Sequence, residues 1–295
     1  MYLELQRDFV IWLQGFSNAF TDLFFNMISF FGEPEFYILL IGFFYWVFNK
    51  KAGEFIGVTL GITTSINNIL KGFFNMARPF ETYPNDIENF REYTATGSAF
   101  PSGHVQNSTS VFFGVASYFN KKYLWGLAGI MLVLMSVSRM FLGVHYIQDT
   151  IAGGLVGILV VFMTFSIFQS VHDNEALLHK LYLIGILILL PFMFITDVND
   201  FFRGYGIYIG IVLGVMYEKK YVNFTMDIVF WKKILRYILG VISMMIVMVL
   251  LGELFELLGY EEGSFGKNFF DFVRFFFVAF VGLGVYPKIF TKLNF

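Results

Sequence analysis

LWGLAGIMLVLMSVSRMFL, residues 124–142, and TIAGGLVGILVVFMTFSIF, residues 150–168, are two nearly uncharged runs joined by the short polar link GVHYIQD, residues 143–149. A helix that crosses a bilayer needs roughly 20 mostly apolar residues, and each run meets that length. About ten segments of this kind can be read along the chain: residues 10–31, 36–48, 55–74, 105–119, 124–142, 150–168, 181–195, 205–217, 234–258 and 269–286. The composition agrees, with 57% hydrophobic, 21% aromatic and 14% charged residues, where a soluble domain carries about 25% charge. The expectation is an all-α integral membrane protein with a multi-pass topology. A polar shift near residues 170–179 separates six helices from about four more, giving two parts, 1–170 and 171–295.

The formal net charge of −2 gives no basic footprint for nucleic acid. The absence of cysteine excludes disulfides, thiolate metal ligands and a Cys nucleophile. The start, MYLELQRDFVIW, has acidic residues and no small-residue cleavage site, so the first apolar helix is expected to be retained.

Basic residues collect in cytoplasmic loops. Arg7, Lys50, Lys51, Lys121, Lys122, Lys180, Lys219, Lys220, Lys232, Lys233, Arg236, Lys288 and Lys292 fall on one set of alternate connections, assigned here to the cytoplasm with both termini. Lys71, Arg78, Arg91, Arg139, Arg203, Lys267 and Arg274 fall on the other, among Glu33, Glu35, Glu81, Asp86, Glu88, Glu261 and Glu262. That second side also holds the longest polar connection, residues 75–104. Long loops of this kind are usually functional or disordered.

Three clusters fall on this outward side. In KGFFNMARP, Lys71 and Arg78 are seven residues apart and share one face to within about 20° if helix persists. Two such cations suit an anion with several oxygens, Arg as a planar fork and Lys as a point charge; interfacial snorkelling is the alternative use. In FPSGH, Ser102 is a natural N-cap and Gly103 lets backbone approach a ligand where a helix begins. Free amides and the helix dipole favour an anion there, and His104 would stand beside it as a proton donor. In SRMFLGVHYIQD, His145 and Asp149 are four apart and share a face if this turn is helical. Asp149 accepting from one ring nitrogen would leave the other unprotonated as a nucleophile; a purely structural hydrogen bond is the alternative. Arg139 adds a third cation. The remaining histidines, His172 and His179, read as solvated in a cytoplasmic loop. A metal site built from His104, His145 and Asp149 is disfavoured, because Lys71, Arg78 and Arg139 would repel a divalent cation while welcoming phosphate.

These residues resemble the type 2 phosphatidic acid phosphatase superfamily, which also includes vanadium haloperoxidases and glucose-6-phosphatase. Its three motifs are met by Lys71, Arg78 and Pro79; by Pro101, Ser102, Gly103 and His104; and by Ser138, Arg139, His145 and Asp149. The resemblance covers roughly residues 10–170, the six-helix core, and implies a metal-independent phosphatase with no cofactor. In that scheme His145 becomes a phosphohistidine, Asp149 orients it and His104 protonates the leaving oxygen. Lys71, Arg78, Ser102, Gly103 and Arg139 bind the phosphoryl oxygens.

The expected substrate is a lipid phosphate or diphosphate at the outer leaflet of the cell membrane: undecaprenyl diphosphate, phosphatidic acid, phosphatidylglycerol phosphate or a sphingoid phosphate. Phosphotransfer to an acceptor, a sugar-phosphate substrate, and a non-enzymatic transporter or scaffold are the competing readings. A homo-oligomer interface, a lateral lipid gate or a transport unit are the roles open to residues 171–295.

Overall fold

The computed structural model describes residues 2–91, 95, 97–195, 198–261 and 263–292, which form helices and connecting turns with no strand among them. Glu262, grouped above with the outward acidic residues, lies outside the described residues. The chain forms two compact units, one from residues 1–37 and 66–163, the other from 38–65 and 164–295.

The first apolar run, expected as one helix over 10–31, is two: α1 (Tyr2–Gln14) and α2 (Ala19–Phe30). The break is chemical. Asn18 Oδ1 accepts from Phe20 N and Thr21 N, and Thr21 Oγ1 accepts from Asn18 N, so a capping box starts a new helix where a few polar residues interrupt the apolar stretch. α3 (Pro34–Phe43) follows α2 at a 54° bend.

Within the first unit, a core of Val10, Leu13, Ile87, Met140, Phe141, Leu142 and Val144 packs α1 against the end of α7 (Lys122–Phe141). α6 (Gly103–Phe119) lies against α8 (Ile147–Val171) at a distance only glycine permits. A Cβ at Gly153 would stand 2.6 Å from Ser102 O, and one at Gly157 2.7 Å from Gln106 O. Small residues in this pattern let membrane helices approach backbone to backbone.

In the second unit, α10 (Asn199–Tyr221) uses Gly206 and Gly210 in the same way, where a Cβ would collide with Phe272 O and Phe276 O on α12 (Phe265–Phe280). Two ion pairs join α10 to the first turns of α4 (Lys50–Phe74): Lys50 Nζ to Glu218 Oε2 at 2.5 Å and Lys219 Nζ to Glu54 Oε2 at 3.0 Å. Arg236, on α11 (Phe230–Glu256), is buried with its guanidinium over the rings of Phe224 and Phe290.

Among the described residues five helices are long and apolar enough to cross a membrane, or six if the bent α2–α3 pair counts as one span. Other segments counted in the sequence fall short of that test for physical reasons. α6 has 17 residues. α4 and α10 are longer but bury polar groups, among them Glu54, Asn67, Asn68 and Lys71 on α4 and Glu218 on α10. Outward-facing Leu187, Phe194 and Ile130 are 65%, 75% and 58% exposed, the surface expected of helices covered by lipid.

His179 corrects the loop reading. Asn174 Oδ1 accepts from Leu177 N and opens α9 (Glu175–Leu189), so His179 sits on a helix, its Nε2 buried without a hydrogen-bond partner. His172 is exposed beside Asp173.

Candidate active site

Lys71 ends α4's last turns, and Arg78 does not continue that helix. α4 stops at Phe74, and Asn75 takes φ 39°, the left-handed region that turns the chain. The shared helical face expected for Lys71 and Arg78 is therefore absent. Arg78 is instead the N-cap residue of α5 (Pro79–Thr82), its N–H donating to Glu81 Oε2 at 2.7 Å. Its side chain, 1% exposed, is held by carbonyls: Nε donates to Gly97 O at 3.1 Å and Nη1 to Val144 O at 3.0 Å.

That same Nη1 lies 3.4 Å from His145 Nε2. A guanidinium can only donate, so the contact favours the tautomer in which Nε2 carries the lone pair and Nδ1 the proton. Nδ1 in turn faces Asp149 Oδ2 at 3.4 Å, too long for a good hydrogen bond and within ion-pair reach. Catalytic contacts often tighten only when substrate is bound. His145 precedes α8 rather than sharing its face with Asp149; the carboxylate reaches back, and its Oδ2 accepts from Tyr146 N at 2.8 Å. His145 lies in the connection between α7 and α8. Burial lowers its pKa well below the ordinary 6.5, and Arg78, Arg139 and Lys71 push it further the same way. The imidazole is neutral at pH 7.

Backbone contacts tie the clusters together. Ser102 N donates to Asp149 O at 3.0 Å, fixing the start of α6 to the start of α8. Asn67 Nδ2 donates to Gln106 Oε1 at 2.8 Å and to Pro101 O at 3.3 Å, binding α4 to the same corner. The Lys71 ammonium stands 4.0 Å from the position of a Cβ on Gly103. Ser102 is the N-cap residue of α6 as expected, but its hydroxyl makes no capping bond and is buried without a partner, as is His104 Nε2. Lys71, Arg78, Ser102, Arg139, His145 and Asp149 are all buried. Among the described residues no three His, Asp or Glu side chains converge as a set of metal ligands.

The opposite wall was not singled out in the sequence. Arg139 Nη1 donates to Ser29 Oγ at 2.6 Å, and Ser138 Oγ donates to Phe25 O at 2.7 Å. Gly32 lies against His104, where a Cβ would meet the imidazole Cδ2 at 2.7 Å. Nothing local marks Ser29 or Gly32; their partners are far along the chain.

An arrangement with three buried cations, a neutral imidazole backed by a carboxylate, and a second imidazole beside a helix N-terminus is built to receive a phosphoryl group. The sequence profile of the PAP2 superfamily matches residues 54–173, a stretch that includes Lys71, Arg78, the Pro101–His104 motif, Arg139, His145 and Asp149. The profile of the PAP2 superfamily phosphatase transmembrane extension matches residues 202–295. The chain belongs to the PAP2 superfamily, and its class is an integral membrane phosphatase.

It is 28% identical over 178 residues to the lipid A 4'-phosphatase of Porphyromonas gingivalis, an alignment covering 56% of this chain and 74% of that protein. It is 30% identical over 117 residues to phosphatidylglycerophosphatase B of Bacillus subtilis, covering 36% and 53% respectively. The match thus spans about half the length of the second relative. The crystal structure of Aquifex aeolicus LpxE superposes with a TM-score of 0.49 at 20% identity, covering 55% of this chain and 95% of that one.

Proposed function

We propose that this phosphatase hydrolyses a lipid phosphate or diphosphate through a phosphohistidine on His145, with the site open to the extracytoplasmic side. The observation that carries the reading is the buried Arg78–His145–Asp149 line, in which a donor-only guanidinium faces Nε2 and a carboxylate faces Nδ1. A phosphate oxygen entering beside Arg78 accepts from the guanidinium while phosphorus meets the Nε2 lone pair.

In the first step Nε2 bonds to phosphorus, the bond to the leaving oxygen breaks, and His104 delivers a proton to that oxygen. Asp149 stabilises the proton retained on Nδ1. In the second step water attacks phosphorus and loses its proton to His104, the bond from phosphorus to Nε2 breaks with its electron pair returning to His145, phosphate leaves, and both imidazoles regain their starting forms. Lys71, Arg78, Arg139, the Ser102 hydroxyl and the Gly103 N–H hold the equatorial oxygens, whose charge is spread across the transition state. The three cations supply the charge stabilisation that a divalent metal supplies elsewhere, which supports a reaction needing none.

Lipid is the favoured substrate class because the site sits at the ends of apolar helices, so that a tail can stay in hydrocarbon while its headgroup meets the cations. Two relatives are named for action on lipid A and phosphatidylglycerophosphate, which supports the class without selecting a member. The outward assignment and the cytoplasmic placement of both termini are supported by the distribution of Lys and Arg. The chemistry is assigned to residues 1–170.

The test is phosphate release from a panel of lipid and soluble phosphates in the presence of chelator, with His145→Ala as blank. Turnover of lipid phosphates alone supports the reading. A strong preference for soluble sugar phosphates overturns it.

A further inference from the structure

Arg91 and Glu33 are among the charges that the sequence places in polar connections, and nothing in the three motifs assigns them. In the structure both are buried, 7% exposed each, and Arg91 Nη2 is ion-paired with Glu33 Oε1. Arg91 Nη1 also donates to Asn26 Oδ1 at 2.6 Å. One guanidinium therefore grips Asn26 in the last turns of α2 and Glu33 three residues beyond its end, the latter across 58 residues of chain.

The gripped segment, residues 26–33, is the wall that touches two groups of the site. Ser29 Oγ accepts from Arg139 Nη1. Gly32 lies so close to His104 that a Cβ there would be 2.7 Å from Cδ2 and 2.9 Å from the His104 Cβ. Within this segment, Asn26 and Glu33 are held by Arg91 while Ser29 and Gly32 between them face Arg139 and His104. A planar fork with two carboxylate-side and amide-side partners fixes orientation as well as distance, which a point charge cannot do.

We propose that Arg91 and Glu33 are positioning residues for the phosphatase reaction: their ion pair holds the 26–33 wall against His104 and Arg139, setting where the proton donor stands relative to the leaving oxygen. This rests on the assignment of His104 as the general acid. Neither residue touches the phosphoryl group. A mispositioned acid delays leaving-group departure in proportion to how much that group needs a proton. Alkyl phosphates, whose alkoxide is strongly basic, depend on the acid; aryl phosphates bearing an electron-poor phenol depart without one.

The experiment compares kcat and KM for a short-chain alkyl phosphate lipid and for p-nitrophenyl phosphate, in detergent, across wild type, His104→Ala, Arg91→Ala, Glu33→Gln, Gly32→Ala and the exchanged pair Glu33→Arg with Arg91→Glu. A displacement of about 1 Å costs on the order of 100-fold in rate, so Arg91→Ala and Glu33→Gln are expected to lose about 10- to 100-fold in kcat on the alkyl substrate and less than about threefold on the aryl one. KM changes little. Gly32→Ala leaves the ion pair intact but pushes the imidazole, and it is expected to show the same leaving-group split even where the ion-pair variants fail to fold. The exchanged pair is expected to recover part of the alkyl activity.

Equal losses on both substrates in Arg91→Ala, Glu33→Gln and Gly32→Ala, or no loss on either, overturn the proposal. His104→Ala separates the two failures. If it lacks the split, the acid assignment falls and the proposal with it. If it shows the split and the wall variants do not, only the proposal falls.

Discussion

Gly153→Ala is a single-methyl perturbation whose effect can be worked from the structure. The added Cβ would lie 2.6 Å from Ser102 O and 3.3 Å from Gln106 N. Ordinary contact begins near 3.4 Å, so α6 and α8 must separate locally by about 0.4–0.8 Å, and both near atoms are backbone that cannot rotate away. Overpacking of this kind costs about 1–3 kcal/mol, while replacing a mid-helix glycine by alanine returns only about 0.5–1 kcal/mol. The net effect is a loss of stability of up to about 2.5 kcal/mol.

Catalysis should suffer more. The displaced atoms belong to Ser102, whose N–H is bonded to Asp149 O, so the shift opens the corner where the second and third motifs meet. Since about 1 Å of misplacement can cost on the order of 100-fold, a fall of at least about tenfold in kcat is expected. The assay is thermal unfolding in detergent together with phosphate release. Gly126→Ala is the control, because nothing lies within 4 Å of its Cβ position and no loss of either quantity is expected there. Wild-type unfolding temperature and wild-type kcat for Gly153→Ala would show that the α6–α8 contact does not control the site.

Three further outcomes follow from the geometry. The low pKa of His145 arises first from burial and then from Arg78, so wild-type activity should persist below pH 6.5 and fall only as the pH drops through the lowered value. Arg78→Gln removes a cation and should move the acid limb of the residual kcat/KM profile to higher pH; an unmoved limb contradicts the electrostatic account. Asp149→Asn, which cannot stabilise the proton on Nδ1, should reduce kcat by roughly 100- to 10,000-fold with a smaller change in KM, and a full rate would remove the orienting role. Glu218→Gln in the second unit breaks the buried pair with Lys50 and weakens the bond from Phe224 N. It should cost on the order of 3 kcal/mol of stability while leaving kcat/KM of the surviving protein within about twofold, as measured by thermal unfolding and phosphate release.

The proposed site residues could be picked out because each cluster is local: Pro-Ser-Gly-His occupies four consecutive positions, and His145 and Asp149 are four apart. The membrane class was legible because apolar composition accumulates over the whole chain. What escaped was long-range or masked by continuity. Ser29 and Arg139 are separated by 110 positions, Glu33 and Arg91 by 58, and no periodicity links such pairs. The break before α2 rests on Ser17, Asn18, Thr21 and Asp22, a polar interruption too short to divide the apolar run by composition, and on the reciprocal Asn18–Thr21 hydrogen bonds within it.

For two of the clusters the local geometry differs from the sequence expectation. Lys71 and Arg78 act on one region through a turn at Asn75 rather than a shared helical face. His145 meets Asp149 across a helix start rather than along a helix. Both differences arise because the backbone leaves the helix at these positions, at Asn75 after α4 and in residues 143–146 before α8.

The central claim is covalent: phosphorus becomes bonded to His145 Nε2. Wild-type protein mixed with a lipid substrate carrying radiolabelled phosphate, in chelator, and quenched with base within the first turnover should retain label. That label should survive base, be lost in acid, and map by mass spectrometry to the peptide containing His145. Absence of trapped label from wild type under conditions of measurable turnover, or equal labelling of His145→Ala, would contradict the account.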